Sequence, residues 1–228
     1  VLSILLSRIN QNIKNIILAG SSVLVGVIFA VFGQIYQTGA NAYDFFLGWS
    51  VFITLWAVAS MFPPLLLIWI FLLNITLFLY YEQVAREWTI VFTFTLMFIL
   101  NILFLIAFIL FSKFKIADIP KWFCHIIAIA AVFFSTMGIC IGILDNNDSF
   151  FLLFMLTILV YGSGIKYGLE NKSTFYMAII PFSIMIMICS FLIEISHGEG
   201  MFFILTFFII GSVTLIIKIL INLQKKWK

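Results

Sequence analysis

The sequence predicts an all-α integral membrane protein, a bundle of eight transmembrane helices with both termini cytoplasmic. Three observations predict it. Composition is the first: 64% of the 228 residues are hydrophobic, 28 are phenylalanine and 9% are charged, where a soluble domain carries about 25% charged residues. The second is the length of the apolar runs, which match the thickness of a bilayer. The third is the sorting of basic residues by side, which the positive-inside rule turns into an orientation.

The spans must be helices rather than strands of a barrel. Barrel strands alternate apolar and polar residues over about ten positions. A stretch such as residues 90–111 is apolar on every face. Without water in the hydrocarbon, a run of that kind closes its backbone hydrogen bonds internally.

Taken in order, the first span is read over Ile13–Gln37 and ends at a polar cluster around Gly39. Phe45–Phe62 follows, stopped by Pro63-Pro64, because the second proline denies its predecessor the helical region. Pro64–Tyr81 and Thr89–Phe111 flank the charged segment that holds Glu82, Arg86 and Glu87. Trp122–Leu144 ends at the turn cluster Asp145-Asn146-Asn147-Asp148. Ser149–Ile165 is short, about 26 Å at 1.5 Å per residue, with Lys166 placed to reach the headgroups. Thr174–Ile193 contains Pro181, expected to free the carbonyl of Met177 and kink the helix. Met201–Leu220 completes the set, and the basic end at 224–228 with Trp227 reads as an interfacial anchor for anionic lipid.

Eight spans put Arg8, Lys14, Lys113, Lys115, Lys121, Lys166, Lys172, Lys218 and the three C-terminal lysines on one side, against Arg86 alone on the other. Acids fall the opposite way, with Asp118 and Glu170 as the exceptions. The orientation that follows leaves both termini of this multi-pass chain in the cytoplasm. The opening VLSILLSR reads as an interfacial helix or, the reading favoured, as the tail of an earlier span. The expectation is one transmembrane domain over 1–228 with further chain upstream.

Chemistry is sparse. None of the Lys, Arg, Asp or Glu residues falls near the middle of a span, which argues against a proton-coupled pump, a voltage sensor or a carboxylate ion site. His125 and His197 are placed on opposite sides of the membrane, so they cannot share one metal or haem. Cys124, Cys140 and Cys189 are odd in number and lack a CxxC spacing, which suits packing rather than disulfides or zinc. No motif for hydrolysis or phosphate binding is present. The expectation is therefore no enzyme activity, no catalytic residue, no metal, no cofactor and no nucleic-acid partner.

Mid-span polarity is neutral, chiefly Asn74, Asn101, Thr136, Thr157 and Ser183. Asn74 and Asn101 lie at matching depth in consecutive helices and are expected to bond each other, which is worth about 0.6 kcal/mol inside a membrane. Gly138 and Gly142 are spaced to let a neighbouring helix approach closely.

The densest polar segment is FGQIYQTGANAYDFF at 32–46. Gln34, Gln37 and Asn41 share a face if the helix persists, as do Gln34 and Thr38, and Asp44 is placed to cap the next helix. Three readings stay open: a corner whose side chains satisfy helix ends, an outward-facing pocket floored by Trp49 and Tyr43, or a docking surface for a partner. Residues 33–60, GQIYQTGANAYDFFLGWSVFITLWAVAS, resemble the signature segment of the bacterial membrane-protein family known as domain of unknown function 2157. That resemblance implies a multi-pass place in a bacterial inner membrane and a constrained set of Gly33, Gln34, Tyr36, Gln37, Thr38, Gly39, Asp44 and Trp49, and no activity. The expected function is an accessory or scaffold subunit of a cell-envelope membrane complex, with a membrane-protein partner or its own copies in the bilayer. The alternative is a facilitator for a small neutral solute or lipid whose polar mouth is residues 34–49.

Overall fold

The computed structural model describes residues 10–36, 41–145, 150–195 and 200–227. They hold eight helices: α1 (Gln11–Tyr36), α2 (Ala42–Ser60), α3 (Pro63–Gln83), α4 (Ile90–Lys113), α5 (Lys121–Leu144), α6 (Phe150–Glu170), α7 (Thr174–Ile195) and α8 (Met201–Trp227). All eight are long and apolar enough to cross a membrane. The chain is an all-α polytopic membrane protein.

Helix ends differ from the expected spans by a turn or less, save in α6 and α8. There the apolar run stops before the helix does. In α6 one more turn continues beyond Ile165, carrying an exposed Lys166–Glu170 pair at 4.0 Å. A surface i,i+4 pair adds a few tenths of a kcal/mol. In α8 the helix runs on through Lys225 and Lys226, cations that suit the negative end of a helix dipole.

The proline pair acts as a helix start. Met61 closes α2 in the left-handed region (φ 47°), its N–H on the Ala57 carbonyl at 3.2 Å. Phe62 is extended, and Pro63 and Pro64 open α3, where a missing N–H costs nothing. Lys172 ends α6 in the same left-handed way, with the Ser173 N–H returning to the Gly168 carbonyl at 2.8 Å. Pro181 lies inside α7, which runs helical from end to end.

The described residues fall into two compact units, and α4 and α5 are divided between them. The first comprises Val1–Trp88 with Ala107–Cys124, the second Thr89–Ile106 with His125–Lys228. In the first, α2 packs on α1 and α3, and Ile53, Ala57, Leu65 and Leu66 are buried. The α2–α3 seam carries a relay: Trp69 Nε1 donates to Thr54 Oγ1 at 3.0 Å, and Thr54 donates to the Ser50 carbonyl at 2.7 Å.

The second unit has its core at Val91, Phe98, Ala131, Ile139, Leu153, Tyr161, Ile180 and Met187. The α5 glycines make its closest approaches. A methyl on Gly138 would sit 2.5 Å from Leu153 Cδ2, and one on Gly142 would run into Phe150 Cβ. Helix α8 packs on α7 and leaves most of its surface exposed.

Asn74 and Asn101 each donate their amide to the carbonyl one turn back, Ile70 and Met97, both at 2.8 Å. Asn74 lies in the first unit and Asn101 in the second.

Candidate functional site

Within the polar corner that the sequence singles out, Gln37 and Thr38 lie outside the described residues, and Tyr36 is described only as helical backbone. Gln34, Asn41 and Asp44 are exposed, while Tyr43 and Trp49 are half-buried. The capping roles differ from the expectation. Asn41 is the cap residue, extended at φ −68° and ψ 156°. Asp44 is the third helical residue, and its Oδ2 accepts the Asn41 N–H at 3.2 Å. That is the returning half of a capping box.

Gln83, at the end of α3, adds a partner. Its Oε1 accepts the Tyr43 N–H at 3.1 Å, satisfying a first-turn donor of α2 that has no carbonyl within its own helix. The Tyr43 ring meets Tyr80 edge-on at 5.4 Å, and Tyr80 meets Trp88 at 5.5 Å. Trp49 donates Nε1–H to the Ser22 carbonyl at 2.7 Å, and its ring fills the gap left by Gly26. Tyr43 and Trp49 thus join α2 to α3 and α1 respectively.

A cavity lies elsewhere. About 900 Å³ opens among α5, α6 and α7 within the second unit, near the top of the range for small-molecule sites. Its floor is buried: Ile139, Thr157, Tyr161 and Met187. Its walls include Phe151, Ile158 and Phe191, each more than half exposed. Residues that are both wall and surface mean that the space opens sideways, where a bilayer would supply the occupant. Glu194 stands at the α7 end.

Behind the floor runs a chain of hydroxyls. Ser135 Oγ is 2.9 Å from Tyr161 Oη, Tyr161 Oη is 2.6 Å from Ser183 Oγ, and Ser183 Oγ is 2.6 Å from Thr136 Oγ1. The Val132 carbonyl accepts from Ser135 at 3.0 Å and from Thr136 at 2.6 Å. Each hydroxyl has one proton to give, so four protons serve five contacts. The chain has no donor to spare.

Thr157 stands apart from it. Its residue is 3% exposed, and its Oγ1 is sealed from solvent without a hydrogen-bond partner. Thr54, Thr76, Thr95 and Thr136 each give their hydroxyl to the carbonyl four residues back. Thr157 does not, although it lines the cavity.

No family model, curated protein or solved structure matches the chain. The site is therefore read from its own geometry. Thr136, Thr157 and Ser183 were legible as mid-span polar residues, and the fold brings all three to one neighbourhood. Tyr161 and Ser135 were missed. The signal for Tyr161 was its place one turn after Thr157, which puts both on one face.

Other candidates place as follows. His125 stacks on Phe175 at 4.0 Å and meets Tyr176 edge-on at 5.8 Å. His197 and Glu199 lie outside the described residues. Among the described residues no three of His, Cys, Asp and Glu gather as a metal site. Cys124, Cys140 and Cys189 are free thiols.

Proposed function

We propose that this polytopic membrane protein is a non-enzymatic binding protein that houses a lipid-like molecule among α5, α6 and α7. The observation that carries the reading is the 900 Å³ cavity with exposed aromatic and aliphatic walls and a buried hydroxyl floor. Such a space suits an occupant that enters from the bilayer. It shares a lipid-like occupant with the facilitator alternative read from the sequence and rests on a different site. Among the described residues that line the cavity no nucleophile stands with a base, which keeps the reading to binding.

The test is to purify the chain in lipid nanodiscs and compare the molecules extracted from it with those of the surrounding bilayer by mass spectrometry. Ile158→Trp fills the space from its exposed wall. The expected result is one lipid class enriched with the native chain and lost with I158W. An extract identical to bulk lipid in both would sink the reading.

A second reading, an accessory or scaffold subunit in a bacterial inner membrane, is favoured by α8. Its Phe202, Phe203 and Phe207 are 70%, 70% and 74% exposed. Membership of the family resembled over residues 33–60 belongs to this reading. A photo-crosslinking residue at position 207 checks it: capture of lipid alone would count against a subunit role.

A further inference from the structure

The cavity's occupant can be narrowed by its shape, its charge and its one unsatisfied group. Lining residues on α6 run from Phe150 to Ile165, which spans roughly 22 Å along the helix at 1.5 Å per residue. Spread over that length, 900 Å³ corresponds to a cross-section of roughly 40 Å². The lining follows α6 for that length, which suits a hydrocarbon tail.

Charge excludes the common bilayer lipids from its depth. Among the described residues no lysine, arginine or histidine lines the cavity, and Glu194 is the carboxylate in its wall. Thr157 lies about 10 Å along α6 from Phe150. A phosphate or carboxylate drawn to that depth would be desolvated without a cation to meet it, which is strongly unfavourable. The occupant is neutral where it meets Thr157.

Selectivity must then come from something other than apolar contact. Lipid tails are as apolar as the wall residues, so transfer of a tail from bilayer to cavity gains little. A hydrogen bond inside low-dielectric surroundings does discriminate, and the hydroxyl chain from Ser135 to Thr136 has no proton left for one. Thr157 has. Thr157 lines the same cavity while its hydroxyl is sealed away from it with no acceptor, and a buried polar group left unsatisfied costs about 1–3 kcal/mol. A rotamer step of about 120° carries the hydroxyl to the place the methyl now holds and presents the alcohol to an occupant without moving the backbone.

We infer that the occupant is a neutral carbonyl-bearing lipid, a prenyl quinone or an uncharged acyl ester, held by a hydrogen bond from the Thr157 hydroxyl to that carbonyl. The inference rests on the binding reading above and adds the chemical class and the residue that recognises it.

The experiment measures binding of decyl-ubiquinone and of dioctanoylglycerol to the chain in nanodiscs, with hexadecane and phosphatidylglycerol as comparisons. Three variants are used: Thr157→Val, Thr157→Ser and Ile158→Trp. One of the two carbonyl lipids is expected to bind in preference to both comparisons, and which one identifies the source of the carbonyl. T157V should weaken that binding about five- to tenfold, and T157S should restore it. The empty T157V protein should melt no lower than the native one, because its lost hydroxyl had no partner. That opposed pair of signs is not produced by a merely structural threonine.

If T157V binds as tightly as the native chain while I158W does not bind, the recognition by Thr157 is wrong and the cavity reading stands. If neither carbonyl lipid exceeds hexadecane or phosphatidylglycerol, the chemical class is wrong. If I158W binds like the native chain, the cavity is not the site and both readings fall.

Discussion

The indole of Trp49 occupies the place where a side chain on Gly26 would begin. Its Cζ2 is 2.5 Å from the position a β-carbon would take there, and its Nε1 donates to the Ser22 carbonyl one turn earlier, at 2.7 Å. Ser22 is itself fully buried and returns its hydroxyl to the Leu18 carbonyl at 2.9 Å. The absence of one methyl group therefore sets how closely α1 and α2 pack, and the indole N–H fixes their register.

Gly26→Ala is expected to destabilise the chain by about 1–3 kcal/mol, the usual cost of overpacking. Gly20→Ala on the same helix meets nothing within 4 Å and should stay within about 0.5 kcal/mol of the native protein. Thermal melts of the two variants in the same detergent check the contrast.

Trp49→Phe keeps a ring but removes the bond to Ser22, at a cost of about 1 kcal/mol. Trp49→Ala opens the space that Gly26→Ala needs. The double variant should therefore lose less than the two single losses combined, and a double-mutant cycle measures the difference.

Tyr161→Phe and Ser183→Ala each break the hydroxyl chain at the 2.6 Å contact between them. Their coupling should be about 0.6 kcal/mol, with about 1.7 as the upper end for hydrogen bonds inside membranes. A coupling near zero would mean that the chain does not hold α6 to α7.

Asp44→Ala removes the acceptor for the Asn41 N–H, and Gln83→Ala removes the acceptor for the Tyr43 N–H. Each is expected to cost about 0.5–1 kcal/mol, as lost caps do. Hydrogen exchange at the first turn of α2 should accelerate in both, with the amides of α6 unaffected.

The charge pattern predicts that Lys115 and Lys172 face the cytoplasm and that Asn41 and Glu87 face outward. Single cysteines at these four positions in a chain without its own cysteines are labelled with a membrane-impermeant thiol reagent. Positions 41 and 87 should react in intact cells, 115 and 172 only after lysis. The reverse pattern would invert the protein in the membrane.

Much of the fold was legible because each transmembrane helix is a local solution. A run such as Ile90–Lys113 satisfies its own backbone, so length and hydropathy suffice to find it. Its ends are local too: Pro63-Pro64 suits a helix start wherever it falls. The α6 end was misread for the same local reason. Hydropathy stops at Lys166, whereas hydrogen bonding continues to Glu170. The candidate site was legible only as scattered letters, Thr136, Thr157 and Ser183 among many apolar residues.

The sequence by itself determined that eight apolar helices thread a membrane, where the breaks between them lie, and that no charge enters mid-span. Only the tertiary structure decided that Trp49 joins α1 to α2 through Gly26 and Ser22, that Tyr161 completes a chain of hydroxyls, and that Thr157 is left over beside a cavity. The reason is that these helices are apolar on all sides, so hydropathy carries no mark of which face meets a neighbour and which meets lipid. Rotation and register are settled by steric fit at glycines and by where the few hydroxyls find partners, and those are properties of pairs of helices.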